Sequence, residues 1–325
     1  MFSNDLFDNI LLSPAAQGAD HLHVISGYAT AAMAFHHINY VRDHGHSIKV
    51  DLVVGMCPND GLSVNNHNGF KKLVEDDFAG TFECSYVMAP PAVHSKVYVW
   101  TKENQPIFGF VGSANYTQNA FRSKQREAMA PCDSQKAFAY FKSLLSDTIY
   151  CTHNDAENFI LLFKDNYSKK KKQLIEQGES KETAPDHMIG LPKITISLLS
   201  NDGTLPARSG LNWGQRPEQN REPNQAYIRL PSSIYHTNFF PENTIHFTVS
   251  TDDGKIIICT RAQDNGKAIE TPHNNSLIGE YFRHRLGLAS GALVTKNDLD
   301  EYGRSDIAFY KIDDETYYMD FSVVS

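Results

Sequence analysis

Two short apolar runs, residues 21–27 (HLHVISG) and 47–55 (SIKVDLVVG), set the first constraint on this chain. Each is rich in β-branched residues and closes on glycine, the pattern of a strand buried on both faces. Between them, residues 30–43 have helical character. Further along, 70–77 reads as a helix, 82–87, 95–101 and 107–111 as strands, and 134–145 as a helix. Strand–helix alternation of this kind predicts an α/β layered domain. The second half lacks that alternation. Residues 194–199, 225–230, 245–251, 255–261, 307–312 and 316–321 read as strands. A tight hairpin signal stands at Asp252-Asp253-Gly254, and 277–286 is the best helix. That half predicts a β-rich barrel or sandwich.

The change of pattern divides the chain into an α/β domain over 1–167, a linker over 168–188 opening on the lysine run 169–172, and a β-rich domain over 189–325. A length of 325 residues accommodates two domains. Hydrophobic residues make up 41% and charged residues 21%, which excludes a disordered chain. No run approaches the roughly 20 apolar residues of a membrane helix, so no membrane contact is expected. The first twelve residues carry Asp5 and Asp8 and no basic residue, unlike a secretory signal, so a cytoplasmic location is expected. The cysteines at 57, 84, 132, 151 and 259 are odd in number and widely spaced, as ordinary reduced thiols are. The net charge is −8 and neither half is basic, so any nucleic-acid-binding surface must come from local clustering.

The segment 93–127 carries the chemistry. It holds His94-Ser95-Lys96, then a strand, then Gly112-Ser113-Ala114-Asn115, and Glu127 beyond. On a strand, His94 and Lys96 project from one face, with Val97 and Val99 on the other as core. Gly112 lets the chain turn and present Ser113 and Asn115 beside them. An imidazole, an ammonium, an amide and a hydroxyl then share one pocket suited to a pentacoordinate phosphate. The imidazole can attack phosphorus while Lys96 and Asn115 stabilise anionic oxygens. No metal or cofactor is needed, and none of the usual metal or phosphate-loop motifs is present. His21 and His23 share a strand face, but no cysteine or acid at ligand spacing accompanies them in sequence. Arg122, Lys124 and Arg126 read as solvated charges.

HxK followed by GSxN resembles the signature of the phospholipase D superfamily. The resemblance implies that His94 is the nucleophile forming a phosphohistidine. It implies that Lys96 and Asn115 bind phosphoryl oxygens with support from Ser113, and that Glu127 holds the imidazole in its reactive tautomer. The superfamily pattern would place Asp at 101, where this chain has Thr101. That departure weighs against the lipid-acting branches. The chemistry uses two histidines, and one motif copy per chain implies a homodimer with His94 from each subunit at the two-fold axis.

In the second half, 207–227 is a long polar loop with Arg208, Asn212, Trp213, Gln215, Arg216, Asn220, Arg221, Asn224 and Gln225. A second cluster at 261–285 includes Lys267, His273, Asn274, Asn275, Arg283, His284 and Arg285. Acids crowd 298–320 instead. Arginine reads guanine in the major groove, and Asn and Gln read adenine, so these loops are candidate contacts to double-stranded DNA. The strings SGLNWGQR (209–216), EPNQAYI (222–228), KAIETPHNNSLIGEYFRHRLGL (267–288) and DLDEYGR (298–304) resemble the C-terminal part of the NgoFVII-type restriction endonucleases. That resemblance implies a phospholipase D-type nuclease domain followed by a DNA-binding pseudobarrel, with 207–227 and 265–285 as its two arms.

Together these readings predict a type II, metal-independent, site-specific DNA endonuclease. A cognate DNA methyltransferase would act separately. A nuclease subunit served by a helper ATPase, a lapsed DNA-binding protein and a lipid enzyme are the alternatives.

Overall fold

The computed structural model describes residues 1–122, 125–163, 188, 190–242, 245–263 and 266–323. The lysine run and nearly all of the expected linker lie outside the described residues, as does Lys124. The chain divides into two compact units, 1–164 and 165–325. The five cysteines are free thiols. No described helix is long and apolar enough to cross a membrane.

The first unit is built on strands β1 (His21–Ser26), β2 (Lys49–Val54), β3 (Phe82–Val87), β4 (Val97–Lys102), β5 (Gln105–Gly112), β6 (Met129–Pro131) and β7 (Thr148–Tyr150). They form one seven-stranded sheet in the order β6-β5-β4-β1-β2-β3-β7. β1, β2 and β3 run parallel, and β4 joins β1 antiparallel. Helix α1 (Ala31–Asp43) crosses from β1 to β2, and its first turn is capped by Thr30, whose hydroxyl accepts from the Met33 amide. Helix α3 (Ser134–Leu144) packs on one face, with Phe141 against Ile25, Val53, Val87, Val97 and Val99. Burying a side chain of that size contributes roughly 1.5–3 kcal/mol. The apolar runs therefore became neighbouring central strands because both of their faces are covered.

Two local expectations are corrected. The helix expected at 70–77 starts earlier, as α2 (Val64–Lys72), and continues as a wider π turn through Leu73–Asp77. Its opening VNNHNG has weak helix propensity. Capping of the Asn66 amide by Ser63 and burial of His67, Gly69 and Phe70 hold it in place. The second correction concerns HxK: β4 begins at Val97, so His94 and Lys96 precede the strand. The Val93 amide donates to the Gly55 carbonyl, and pairing with β5 begins at Val97 opposite Val111.

The second unit holds β8 (Lys193–Ser197), β9 (Ile228–Arg229), β10 (His246–Thr251), β11 (Ile256–Ala262), β12 (Ala268–Glu270), β13 (Asp306–Lys311) and β14 (Thr316–Asp320). They make a barrel-like sheet in the order β8-β13-β14-β10-β11-β12-β9. All neighbours are antiparallel except β10 and β14. Phe247, Phe309, Tyr317, Ile257 and Ile269 fill its interior, joined by Ile278 and Phe282 of helix α4 (Ser276–Arg285). The strand expected at 225–230 shrinks to Ile228–Arg229, because the Ala226 amide donates to Asn275 and the Gln225 carbonyl accepts from Gly214. Helix α5 (Lys296–Tyr302) was not anticipated. It carries a full capping box between Thr295 and Asp298 and ends on Gly303 with φ 92°.

Candidate active site

Register alone assembles the site. Ile25 of β1 pairs with Val97 of β4, and Val97 pairs with Val111 of β5. Three chain segments therefore leave one edge of the sheet side by side: Gly27-Tyr28 after β1, His94-Lys96 before β4, and Ser113-Asn115 after β5. In open α/β sheets, the carboxyl ends of the parallel strands are where ligands bind.

The side chains converge accordingly. Lys96 Nζ lies 3.1 Å from His94 Nε2 and donates to the His94 carbonyl oxygen at 2.7 Å. Asn115 Oδ1 accepts from the Tyr28 amide at 3.2 Å and faces Ser26 Oγ at 3.4 Å. The side-chain oxygen of Asn115 is thus turned to β1. Gly27 stands between His94 and Asn115: a Cβ there would sit 3.1 Å from His94 Cδ2 and 3.5 Å from Asn115 Oδ1. Gly112 is needed for a related reason, since a Cβ there would lie 2.1 Å from the Ala128 carbonyl oxygen. His94 is exposed and Lys96 is only 6% exposed. Burial pushes the Lys96 pKa down, opposed by the charge of Glu127.

Glu127 departs from its expected role. Its Oε2 accepts the hydroxyl of Ser113, rather than a proton of the His94 imidazole. The cause is local: Ser113 N donates to the Ala128 carbonyl, and Ala128 N donates to Ser113 Oγ, which fixes the two segments together. Glu127 thus orients Ser113 and lends charge to Lys96.

Sequence reasoning missed Ser26, Gly27 and Tyr28. Tyr28 is 43% exposed, lies edge-on to the His94 ring at 6.1 Å, and donates its hydroxyl to Asp60. The available signal was the glycine closing the first apolar run. A cavity of about 470 Å³ beside His94 is lined by the 87–95 loop with Tyr140, Leu144, Ser146 and Asp147. Its lining contains no lysine or arginine.

The barrel-like unit separates the expected DNA-facing residues into two groups. Arg283 is 1% exposed and donates to the carbonyls of Ala292, Gly279, Leu211 and Pro223. Asn212 is fully buried and bridges Pro206 and Val294. Asn224 binds Glu222, Ser290 and Gly291, and Gln215 binds the carbonyls of Pro223 and Gly291. Arg285 is engaged by Asp252, Tyr281 and Tyr302. These five are corrected to internal braces: polar loops packed on a small core must satisfy their own backbone groups. The Asn274 side chain accepts from the Ser276 amide at the start of α4, and Asn275 is the N-cap position.

The other group is half-buried or exposed. Arg221 stacks on Trp213 with its guanidinium carbon 3.9 Å from the ring centroid, and also donates to Gln225. Arg208 is exposed and paired with Glu218, and Arg216 donates to the Arg208 carbonyl. Lys267 is exposed. Arg229, exposed on β9, was not among the expected contacts; it lies in the stretch read only as a strand.

This fold and site define a phospholipase D-type nuclease domain joined to a B3-like DNA-binding domain. Residues 4–158 match the NgoFVII restriction endonuclease N-terminal PLD domain, and residues 186–313 match the NgoFVII C-terminal B3-like DNA-binding domain. With both domains matched in order, the chain belongs to the NgoFVII restriction endonuclease family. Among solved structures, NucT from Helicobacter pylori is similar at 17% identity and TM-score 0.32, covering 46% of this chain and 96% of NucT. The phospholipase D family member Nuc from Salmonella typhimurium is similar at 15% identity and TM-score 0.32, covering 44% of this chain and 88% of Nuc. No curated protein matches the chain.

Proposed function

We propose that this restriction endonuclease cleaves DNA at a specific site without a metal in the bond-breaking step, through a phosphohistidine on His94 of a homodimer. The observation that carries the reading is the pairing of His94 Nε2 with Lys96 Nζ at 3.1 Å beside Asn115. Lysine only donates, so Nε2 presents its lone pair to the ammonium. An arriving phosphate competes for that ammonium and draws Lys96 onto its oxygens. The freed lone pair attacks phosphorus, and Lys96 and Asn115 stabilise the charge gathered on the equatorial oxygens. His94 of the partner subunit protonates the departing oxygen as the P–O bond breaks. Water then attacks the phosphohistidine, giving up its proton to that same neutral imidazole and restoring both histidines.

In the second domain, Arg208, Arg216, Arg221, Lys267 and Arg229 are the proposed contacts to duplex DNA, with Trp213 holding the Arg221 guanidinium flat. The experiment is digestion of unmethylated phage DNA by the full-length protein in EDTA, with sedimentation to give the mass in solution. Discrete bands and a dimer are expected. Cutting that needs added Mg²⁺ contradicts the mechanism, and cutting by a monomer contradicts the shared centre. Intact DNA under every condition, with a retained gel shift, points instead to a requirement for a helper ATPase.

A further inference from the structure

At the opposite end of β1 from His94, three side chains converge that the sequence kept far apart. His21 and His23 lie on the same face of β1, and Asp51 on β2 pairs with His23 in the parallel ladder. Asp51 Oδ2 is 3.0 Å from His21 Nε2 and 3.2 Å from His23 Nδ1. One ligand atom from each residue falls within 4.8 Å of the others. We propose that His21, His23 and Asp51 form a binding site for a divalent transition-metal ion of the Zn²⁺ class.

Two further observations point to a ligand. Both nitrogens are buried, yet neither makes a well-directed hydrogen bond despite the nearby carboxylate. The second observation is the seat of His23. The Thr101 hydroxyl lies 3.4 Å from His23 Nε2 and 3.5 Å from the His21 carbonyl, which can only accept. A hydroxyl that donates to that carbonyl can accept from Nε2–H, and His23 then has its Nδ1 lone pair, beside Asp51, available to a cation. Metal-binding histidines commonly donate their second N–H in this way. Thr101, at the position where the superfamily motif has Asp, is on this account a positioning residue for His23.

Two imidazoles and a carboxylate suit Zn²⁺, which takes His nitrogen and Asp oxygen at about 2.0–2.2 Å and keeps other positions for water. His23 is packed against Phe138 and Phe141 of α3, while the His21 and Asp51 side chains are 20% and 33% exposed. The site is therefore closed on the core side and open to solvent on the other. Glu83 of β3 pairs with Asp51 on the same face and offers a further carboxylate at the open side. His23 precedes Gly27 by four residues, about 13 Å along a strand. The ion would tie β1 to β2 under α3 and take no part in breaking the phosphodiester.

The test is calorimetric titration of the chelator-stripped, full-length protein with Zn²⁺, followed by Co²⁺ loading. One ion per chain, a raised Tm, and hyperfine-shifted histidine ring signals with Co²⁺ are expected. His21→Ala and Asp51→Asn, both at the open side, should abolish the one-to-one uptake while DNA cleavage is unchanged. Thr101→Val should weaken uptake by about 10–100-fold. No stoichiometric uptake by the unmodified chain, or uptake unaffected by His21→Ala and Asp51→Asn, overturns the site. If those variants do not fold, the Co²⁺ spectrum decides: absence of two shifted imidazoles overturns the proposal and their presence upholds it.

Discussion

Lys96 Nζ bridges two atoms of one residue, the His94 carbonyl oxygen at 2.7 Å and its imidazole Nε2 at 3.1 Å. The proposed nucleophile and its proposed phosphate-binding partner are thereby held together. His94→Ala should abolish cleavage while a gel shift on target DNA persists. Lys96→Met should lower the cleavage rate by about 10²–10³-fold, the loss typical of one stabilising donor. Single-turnover digestion measures both, and cutting by His94→Ala at the unmodified rate would remove His94 from the mechanism.

Gly27→Ala tests the close approach. The new Cβ meets His94 Cδ2 at 3.1 Å and Met56 Cγ at 3.3 Å. The imidazole must shift by a few tenths of an ångström, and displacements up to 1 Å can cost about 10²-fold in rate. The expected result is at least a tenfold loss of cleavage with DNA affinity intact. An unchanged single-turnover rate would show that the ring position tolerates the methyl group.

Arg221 and Arg283 should separate cleanly. Arg221 is half-buried over Trp213 and is a proposed DNA contact, so Arg221→Ala should weaken DNA binding and reduce its salt dependence by about one charge. Its thermal midpoint should hardly move. Arg283 braces four carbonyls from the interior, so Arg283→Met should destabilise the second domain by about 3 kcal/mol or more through orphaned acceptors. Denaturant melts and gel shifts on both variants check the assignment; a stable Arg283→Met with lost DNA affinity would reverse it.

Acid should weaken the first domain through His37. This ring is fully buried between the Tyr116 hydroxyl at 2.8 Å and the Leu11 carbonyl at 3.3 Å. Burial pushes its pKa down from 6.5 to about 4, with the Leu11 contact opposing. The unfolded chain therefore takes up a proton first as pH falls. The stability contributed by the neutral ring is complete above pH 6.5 and lost between there and about 4, amounting to about 3 kcal/mol. His37→Gln, which keeps a donor and an acceptor, should flatten that part of the profile in melts from pH 7 to about 4. Parallel profiles for the two proteins would refute the contribution of His37.

Much of the fold was legible locally. The runs 21–27 and 47–55 became β1 and β2, because β-branched, two-sided apolar runs have few other places to go, and 82–87 became β3 beside them. Helix α5 was missed although Thr295, Asp298 and Gly303 spell its cap and stop, because its acidic surface masked the single buried Leu299. HxK lay outside its strand for a tertiary reason: the ladder starts where β5 is available, at Val97.

The order HxK, GSxN, through its resemblance to the phospholipase D signature, pointed to the nuclease domain that the family match shows. What spacing could not reveal was which polar residues face outward. Arg208, Arg221, Arg283 and Arg285 look alike in sequence, yet two of them saturate interior carbonyls or a partly buried carboxylate. The same holds for His21, His23 and Asp51. Their convergence depends on β1 pairing with β2 in one register, and a slip of one residue would turn Asp51 to the other face. Sequence determined the chemistry available to each element. The sheet register decided which of those groups meet, because contacts between strands are set by long-range hydrogen bonding that no local pattern contains.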